Sequence, residues 1–463
     1  MHPGPVGDTP QCRPQDCALG ARVVRRAWRR RRGEGPLSVR NPLSPGGGRM
    51  SMDRNADVTA GELSTGAPDL AAADLFHDDR HLPVFEALRS THPLYRQDAH
   101  PRFGSFWNVT RYNDILQIDL DDASFTAEDS FVLEDMDEQF PLPMFLAMDD
   151  PRHSELRDPV KPFFSQASMN RMRESIRQEV CTVLDALPCD ETFDWVEQVS
   201  IALTSRILAR MFDYPMEERD DLIRWSHMVL CTTPEGGTIA PEDPMRQQAL
   251  LECLDVFSRL RKSRDAGGGD DLLSLLVQSG AGARLKPSEF LGNILMLIVA
   301  GNDTTRNSIS AGASTFARHP EVFARLAEDP EVLRGSVLEI LRLQSPIAYI
   351  RRRARVPYVL HGRVIQPGEK VLLWYASGNM DPTVFPDPER FDPARPNAFK
   401  MMAFGFGKHR CLGARLAELQ LSLVWQEAAK RFSAIELAGP PVQVASSFIK
   451  GYASMPVRLT RAS

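Results

Sequence analysis

Apolar residues recur at helical spacing through most of the middle of this 463-residue chain. This spacing predicts amphipathic helices over 168–187, 196–212, 217–230, 244–262 and 271–278. Alternating apolar and polar residues, which are typical of strands, occupy only short segments at 105–110, 356–360, 363–365, 370–374 and 457–460. We therefore expect a mainly α-helical fold with small β-sheets.

A longer segment at 288–318 differs from the other helices because its centre is apolar on every side. It predicts a helix of roughly 45 Å through the core. Its middle, 300–305, reads AGNDTT and brings a buried acid together with two hydroxyl groups that could compete for backbone carbonyls. By itself this run is also compatible with a kinked helix whose polar groups are satisfied.

A glycine-rich loop near the C-terminus, 404–413, reads FGFGKHRCLG and leads into a helix predicted at 414–430. Its three glycines, at 405, 407 and 413, permit turns that side chains disfavour. The helix N-terminus favours the anionic form of Cys411. A thiolate in this setting either reacts or binds a metal, although a buried structural cysteine is the other interpretation.

Composition and charge argue against several classes of protein. The net charge is −6, and ten arginines against three acids give residues 1–49 a charge of +7, so the remainder carries −13. An acidic body argues against nucleic-acid binding. Seven cysteines without paired spacing argue against a zinc site or a disulfide framework and fit a reducing cytoplasm. The longest apolar run, 294–300, is far shorter than the roughly 20 residues of a membrane span, so we expect a soluble cytoplasmic protein.

Residues 1–49 are rich in Gly, Pro and Arg and lack the apolar stretch of a secretory signal. Met50 and Met52 stand just before ordinary sequence begins. We expect 1–49 to be a disordered or wrongly assigned N-terminal extension, with a transit peptide as the other interpretation. The rest, 74–463, is expected to form a single catalytic domain.

Four motifs that follow one another in order resemble those of the cytochrome P450 family. The loop 404–413 resembles its haem-ligand loop, and 300–305 resembles its oxygen-binding groove. The other two are an ExxR pair on a helix predicted at 331–343 and a downstream PERF run at 388–391. The resemblance covers the chain from about residue 76 to the end and implies the P450 fold, with haem b held by a cysteine thiolate.

The resemblance implies roles for individual residues. Cys411 would be the iron ligand, and the cations that bind the two propionates would be His153, Arg157, Arg351 and His409. Residues that border the haem would be Ala300, Gly301, Phe404, Gly405 and Gly413. Thr304 would hydrogen-bond dioxygen and Asp303 would relay protons. The structural ionic triad would be formed by Glu339, Arg342 and Arg390.

Further runs, at 301–307, 374–381, 415–420 and 448–452, are similar to the bacterial P450 branch that hydroxylates terminal carbons of alkanes and fatty acids. The run 346–350, PIAYI, departs from the LAHM associated with alkane enzymes, which leaves chain length and the attacked carbon open. The substrate wall would include Val299, Ile347, Ile350 and Phe448. A sterol side chain or a terpene is the alternative substrate.

No flavin or iron–sulfur module is visible in the sequence. The resemblance therefore implies that NAD(P)H supplies electrons through a ferredoxin reductase and a ferredoxin, with O2 and a lipophilic small molecule as substrates. Lys408, Arg410 and Arg415 could face an acidic ferredoxin, or could be only a solvated basic face. One rival function is a haem-thiolate peroxygenase or isomerase, which needs no proton relay to dioxygen, so the presence of Asp303 and Thr304 argues against it. The other is a non-catalytic haem-binding protein.

Overall fold

A computed structural model of the chain describes residues 68–462, apart from 138–139, 234–235, 241–242 and 265–268. The predicted extension 1–49 lies outside the described residues, and a domain beginning at 74 stays a prediction. Leu70, Leu75 and Phe76 are already buried. Packing against the core therefore begins ahead of residue 74.

Helices account for most of the regular structure in the described residues, which confirms the predicted fold class. They are α1 His81–Thr91, α2 Tyr112–Asp119, α3 Arg152–Arg157, α4 Gln166–Asp185, α5 Ala202–Met211, α6 Asp220–Leu230, α7 Pro244–Arg264, α8 Leu272–Gln278, α9 Pro287–Arg318, α10 Pro320–Phe323, α11 Pro330–Gln344, α12 Tyr375–Gly378 and α13 Ala414–Arg431. The helix predicted at 196–212 is divided, because a π-helical stretch, Val196–Ile201, precedes α5.

The strands are short and form small separate sheets. They are β1 Leu94–His100, β2 Gly104–Val109, β3 Phe125–Thr126, β4 Thr192–Asp194, β5 Ile350–Ala354, β6 Tyr358–Leu360, β7 Arg363–Ile365, β8 Lys370–Leu373, β9 Phe432–Leu437, β10 Val442–Gln443, β11 Tyr452–Ser454 and β12 Pro456–Arg461. One sheet has the order β1-β2-β8-β5-β3, another β4-β12-β9, and β6-β7 and β10-β11 pair as hairpins.

Strand β2 pairs with β8 in parallel, whereas β5 pairs with β8 antiparallel, so β8 joins an N-terminal hairpin to the segment after α11. Helix α9 crosses the largest apolar cluster and is buried along most of its length, as its uniformly apolar centre predicts. Among the described residues no helix is both long and apolar enough to cross a bilayer.

The core of the helical part depends on close contact between α9 and α13. Trp425 of α13 stacks on Trp195 with 5.6 Å between ring centroids, and its indole lies against Gly312 of α9. A Cβ atom at residue 312 would approach the ring atoms of Trp425 to 2.3–2.7 Å. Glycine is thus required there by the indole ring rather than by the helix.

We predict that Gly312→Ala destabilises the protein, because overpacking costs about 1–3 kcal/mol and outweighs the gain of up to about 1 kcal/mol in helix propensity. The free energy of unfolding in urea, followed by tryptophan fluorescence, measures the effect. Gly280→Ala is the control, because no heavy atom lies within 4 Å of its Cβ position. Equal stability of the Gly312→Ala variant and the unmodified protein would contradict the packing argument.

Candidate functional site

Cys411 lies between the turn Gly407–His409 and the start of α13. Its backbone N–H donates to the carbonyl oxygen of Phe404 at 2.7 Å, which closes the loop. The Cys411 residue has accessible surface, although many protein atoms lie around its side chain. This burial raises the pKa of its thiol, and a hydrogen bond with the Gly413 backbone and the charge of Arg157 lower that pKa by less. A cysteine that stays accessible while protein surrounds it can bind a group placed against it.

Two glycines of this loop have positive φ angles, 61° at Gly405 and 65° at Gly407. Residues other than glycine rarely adopt such angles. At these two positions the backbone therefore makes the turns that the glycines of this loop predict. Gly413 does not, because its φ is −83° and the nearest atom to its Cβ position is a ring carbon of Phe164 at 4.0 Å. The protein itself does not require glycine at residue 413.

Buried basic side chains stand beside the loop. The ring of His153 from α3 lies 4.3 Å from that of His409, centroid to centroid, and Arg157 donates to the backbone carbonyl of Arg410. Burial lowers the pKa of His409 to about 2, with Arg352 contributing, and burial with the charge of Arg157 lowers that of His153. Both rings are therefore neutral, with one N–H donor each.

Several of these nitrogen atoms have no hydrogen-bond partner within 3.5 Å among the described residues: both ring nitrogens of His153, Nδ1 of His409, Nε of Arg157 and one terminal nitrogen of Arg351. For Nδ1 of His153 the nearest carboxylate oxygen, of Asp150, lies 3.6 Å away. Buried polar nitrogens without partners are costly and call for an explanation, and each neutral histidine ring has one N–H among them while the arginine nitrogens are all donors. The donors fit a buried group that carries two carboxylates, as the propionates of haem do. The chemistry of this donor set and the accessible Cys411 both suit a haem.

Strand β5 sends neighbouring arginines to opposite faces of its sheet, as the alternation of a strand requires. Arg351 donates to the carbonyl oxygen of Ser130 at 3.1 Å and to the Asp135 carboxylate at 2.7 Å. Arg352 turns the other way and pairs with Asp119 at 2.8 Å. Arg351 is fully buried and keeps one guanidinium nitrogen for a further acceptor.

Helix α9 has one stretch that is not fully buried between residues 290 and 316, formed by Val299, Ala300, Gly301 and Thr304. The Thr304 hydroxyl donates to the carbonyl oxygen of Ala300 at 3.0 Å. Gly301 makes room for the α5 side chain of Leu208, which would lie 2.9 Å from a Cβ atom there. The accessible face thus carries one hydroxyl group on an apolar surface.

Asp303 is fully buried and does not share this face. Its carboxylate forms an ion pair with Arg306 and accepts hydrogen bonds from Ser226 of α6 and from Asn302, the latter at 3.3 Å. The structure therefore places Asp303 and Thr304 in different surroundings, although they are neighbours in sequence.

The ionic triad differs in one member from the prediction. Arg342 donates to both carboxylate oxygens of Glu339, at 2.6 and 2.9 Å, with both side chains fully buried. The third member is Arg395, whose Nε lies 3.0 Å from Glu339. The prediction of Arg390 is wrong, because its backbone carbonyl accepts from Arg342 and Arg395 while its side chain is exposed.

The predicted substrate wall is only partly assembled. Phe448 packs on Phe131 and Tyr349, with ring centroids 5.8 and 5.3 Å apart, and Ile347 forms a β-bridge with Ile449. Ile350 packs instead against the other face of the β5–β8 pair, in a separate apolar cluster. The structure therefore sets Ile350 apart from Phe448.

The predicted basic face is weaker than the sequence indicates. Lys408 lies 3.1 Å from Asp122 and 3.0 Å from Asp150, so two carboxylates offset its charge. Arg410 and Arg415 are exposed and form no ion pair within the described part of the chain.

Sequence reasoning missed four residues that hold the loops of this site: Asp119, Arg352, Tyr375 and Arg395. Asp119 accepts from Arg352, from the Tyr375 hydroxyl and from the backbone N–H of Phe406. A signal existed only for Arg352, which alternates with Arg351 in a strand. Nothing in the local sequence around Asp119 indicates its contacts.

Comparisons with known proteins identify relatives over nearly the whole described part. The family model described as Cytochrome P450 matches residues 253–446. Linalool 8-monooxygenase of Pseudomonas putida is 30% identical over 404 residues, 85% of this chain and 98% of the relative. Steroid C26-monooxygenase of Mycolicibacterium smegmatis is 29% identical over 399 residues, 85% and 96% of the two chains. The solved structure of Cytochrome P450-153 from Novosphingobium aromaticivorans is 35% identical with a TM-score of 0.78, covering 84% and 99%.

The corrected triad predicts that Arg395 contributes more to stability than Arg390 does, which two alanine variants can test. Arg395→Ala removes a charge-assisted hydrogen bond to a fully buried carboxylate that stays paired with Arg342, and should cost about 1.5–3 kcal/mol of unfolding free energy. Arg390→Ala removes an exposed guanidinium and should change it by no more than about 0.5 kcal/mol. Urea denaturation of both variants measures the difference, and a larger loss in Arg390→Ala would restore the original assignment.

Proposed function

The chain belongs to the cytochrome P450 family of haem-thiolate monooxygenases, and from this premise we propose that it hydroxylates an unactivated C–H bond at or near the end of a slender lipophilic substrate. Members of this family hold haem through a cysteine thiolate and receive electrons from external redox partners. The haem supplies the activation of O2, which no side chain can perform. The protein supplies binding, orientation, protons and the exclusion of water.

We assign the iron ligand to Cys411. The observation that carries this proposal is an accessible cysteine in a loop built by positive-φ glycines, beside buried polar nitrogens that lack partners. In this proposal His153, Arg157, Arg351 and His409 pair with the two propionates. The residues that border the macrocycle are Ala300, Gly301, Phe404, Gly405 and Gly413.

In this proposal the Thr304 hydroxyl is the first group that delivers protons. Its hydroxyl is the polar group of the accessible face of α9, and it can hold a proton at Oγ1 while bonded to the Ala300 carbonyl. Asp303 stands behind it with Arg306, Ser226 and Asn302 as donors. In this proposal Asp303 transfers protons towards Thr304 only after a water molecule replaces one of its three hydrogen-bond donors.

The substrate pocket is proposed to have apolar walls and no charged partner for a head group. Val299, Ile347 and Phe448 supply these walls, and Phe131, which packs on Phe448, adds a fourth aromatic or aliphatic surface. Sequence similarity to terminal hydroxylases supports attack near a chain end. The relatives named for linalool and for steroid C26 support the alternative, a terpene or a steroid side chain.

The electron donor is proposed to be a ferredoxin served by an NAD(P)H-dependent reductase. Arg410 and Arg415 carry exposed charge near the cysteine loop, and they support docking of an acidic partner there. Lys408 contributes less, because it already faces Asp122 and Asp150.

We predict that Thr304→Ala retains haem but releases more hydrogen peroxide per product formed, because the hydroxyl that holds the proton is lost. Hydrogen peroxide and product are measured together during turnover with a ferredoxin pair. Thr304→Ser is the control, since it keeps the hydroxyl and should stay closer to the unmodified enzyme. Equal coupling in Thr304→Ala and the unmodified enzyme would remove Thr304 from the proton path.

The chain-end proposal predicts that affinity rises with substrate length until the pocket is full. Burial gains roughly 0.8 kcal/mol per methylene, about fourfold in dissociation constant. Dissociation constants along a homologous alkane series come from spectral titration, and mass spectrometry locates the hydroxyl in the product. A flat series, or attack only on a rigid ring of a terpene or steroid, would replace this proposal with the alternative.

A further inference from the structure

The carboxylate of Asp119, at the C-terminal end of α2, lies under the cysteine loop with a fully buried side chain. Its Oδ2 accepts from the Tyr375 hydroxyl at 2.8 Å and from the backbone N–H of Phe406 at 2.9 Å. Its Oδ1 accepts from Arg352 at 2.8 Å. One buried carboxylate thus connects β5, α12 and the loop that carries Cys411.

The two positive-φ glycines of the loop pack directly on this anchor. A Cβ atom at Gly405 would lie 3.0 Å from the Tyr375 hydroxyl and 3.6 Å from the Asp119 carboxylate. A Cβ atom at Gly407 would lie 3.0 Å from the backbone oxygen of Asp119. The loop backbone therefore touches Asp119 on both sides of Phe406, and glycine is needed at both contacts.

The hydrogen bond to Phe406 lies inside the segment that positions the sulfur. The Cys411 N–H donates to the Phe404 carbonyl at 2.7 Å, and the Gly405 N–H donates to the Met402 carbonyl at 2.8 Å. Phe406 lies inside the loop that the first bond closes and directly follows the turn that the second bond closes, so a hydrogen bond that fixes Phe406 also fixes the path of the chain to Cys411. A hydrogen bond from a backbone N–H to a charged carboxylate is stronger than one to a neutral acceptor.

We propose that Asp119 is a positioning residue for the haem ligand: its carboxylate holds the Phe406 N–H so that Cys411 stays seated against the metal. The inference rests on the proposed assignment of Cys411 as ligand. Groups that orient a metal ligand from behind commonly change metal affinity by about 10–100-fold when they are removed. Asp119 would act in this way without touching the haem.

The test compares Asp119→Asn with Asp122→Asn in the haem-loaded protein. Both substitutions remove one carboxylate near the same loop, but Asp122 faces Lys408 at the surface. We expect Asp119→Asn to lose haem to excess apomyoglobin about tenfold faster than the unmodified protein. Its reduced carbon monoxide complex should shift partly from the thiolate band to the band of a neutral or displaced ligand. Asp122→Asn should match the unmodified protein in both measurements.

A second variant separates the hydrogen bond from the charge. Asp119→Asn alone leaves Arg352 buried without its partner, which is itself destabilising. In the double variant Asp119→Ala, Arg352→Gln both charges and the acceptor of the Phe406 N–H are gone, so a persistent loss of haem supports positioning by the Phe406 bond. Full recovery in the double variant would overturn the proposal, because only the unpaired arginine would then have mattered.

A third variant covers the case in which Asp119→Asn does not fold. Tyr375→Phe keeps the carboxylate and removes one donor, and we expect a smaller shift of the thiolate band in the same direction. An unchanged band there, or in a folded Asp119→Asn, overturns the role of Asp119. Absence of a thiolate band from the unmodified protein would instead overturn the assignment of Cys411, and this inference with it.

Discussion

Buried carboxylates that must be paired with arginines hold the irregular chain around Cys411 in place. An isolated charge in the protein interior costs far more than a folded domain can supply, so each such pair persists as a unit. Glu339 with Arg342 and Arg395 forms one pair system, and Asp119 with Arg352 forms another. The loops between 379 and 411 have little regular structure, and these charges replace the hydrogen bonds that helices and strands would otherwise provide.

The two systems meet at the start of the cysteine loop. Arg342 donates to the Asn379 carbonyl, and the Asn379 side chain accepts from the Met402 N–H at 2.7 Å. Three residues further, the Met402 carbonyl and Asp119 hold the N–H groups of Gly405 and Phe406. The backbone between 402 and 406 is thus held from α11 on one side and from α2 on the other, so the position of the sulfur depends on both.

Periodicity predicts the helices whose apolar faces meet the core. The segments at 271–278 and 288–318 agree with α8 and α9 within one residue at each end, because their burial follows directly from side-chain hydrophobicity. Strand β5 is invisible to the same reasoning, since its centre reads Arg351-Arg352-Arg353 and its burial depends on acids elsewhere in the chain. Helices α1 and α2 also escape this reasoning, being short or irregular in pattern.

The residues of the candidate site likewise fall into a group that the sequence predicts and a group that it does not. Motif residues such as Cys411, Glu339 and Arg342 are recognisable because their spacing is local, whereas the partners of Asp119 lie 233 to 287 residues away. Arg390 was misassigned for a related reason: in a proline-rich loop the backbone carbonyls, not the side chain, face the arginines.

Helical geometry likewise separates Asp303 from Thr304. Consecutive residues of an α-helix point about 100° apart, so the carboxylate reaches α6 while the hydroxyl stays on the accessible face. A sequence motif can place an acid next to a hydroxyl, but helical geometry and the packing of α6 together decide which of the two stays on the accessible face.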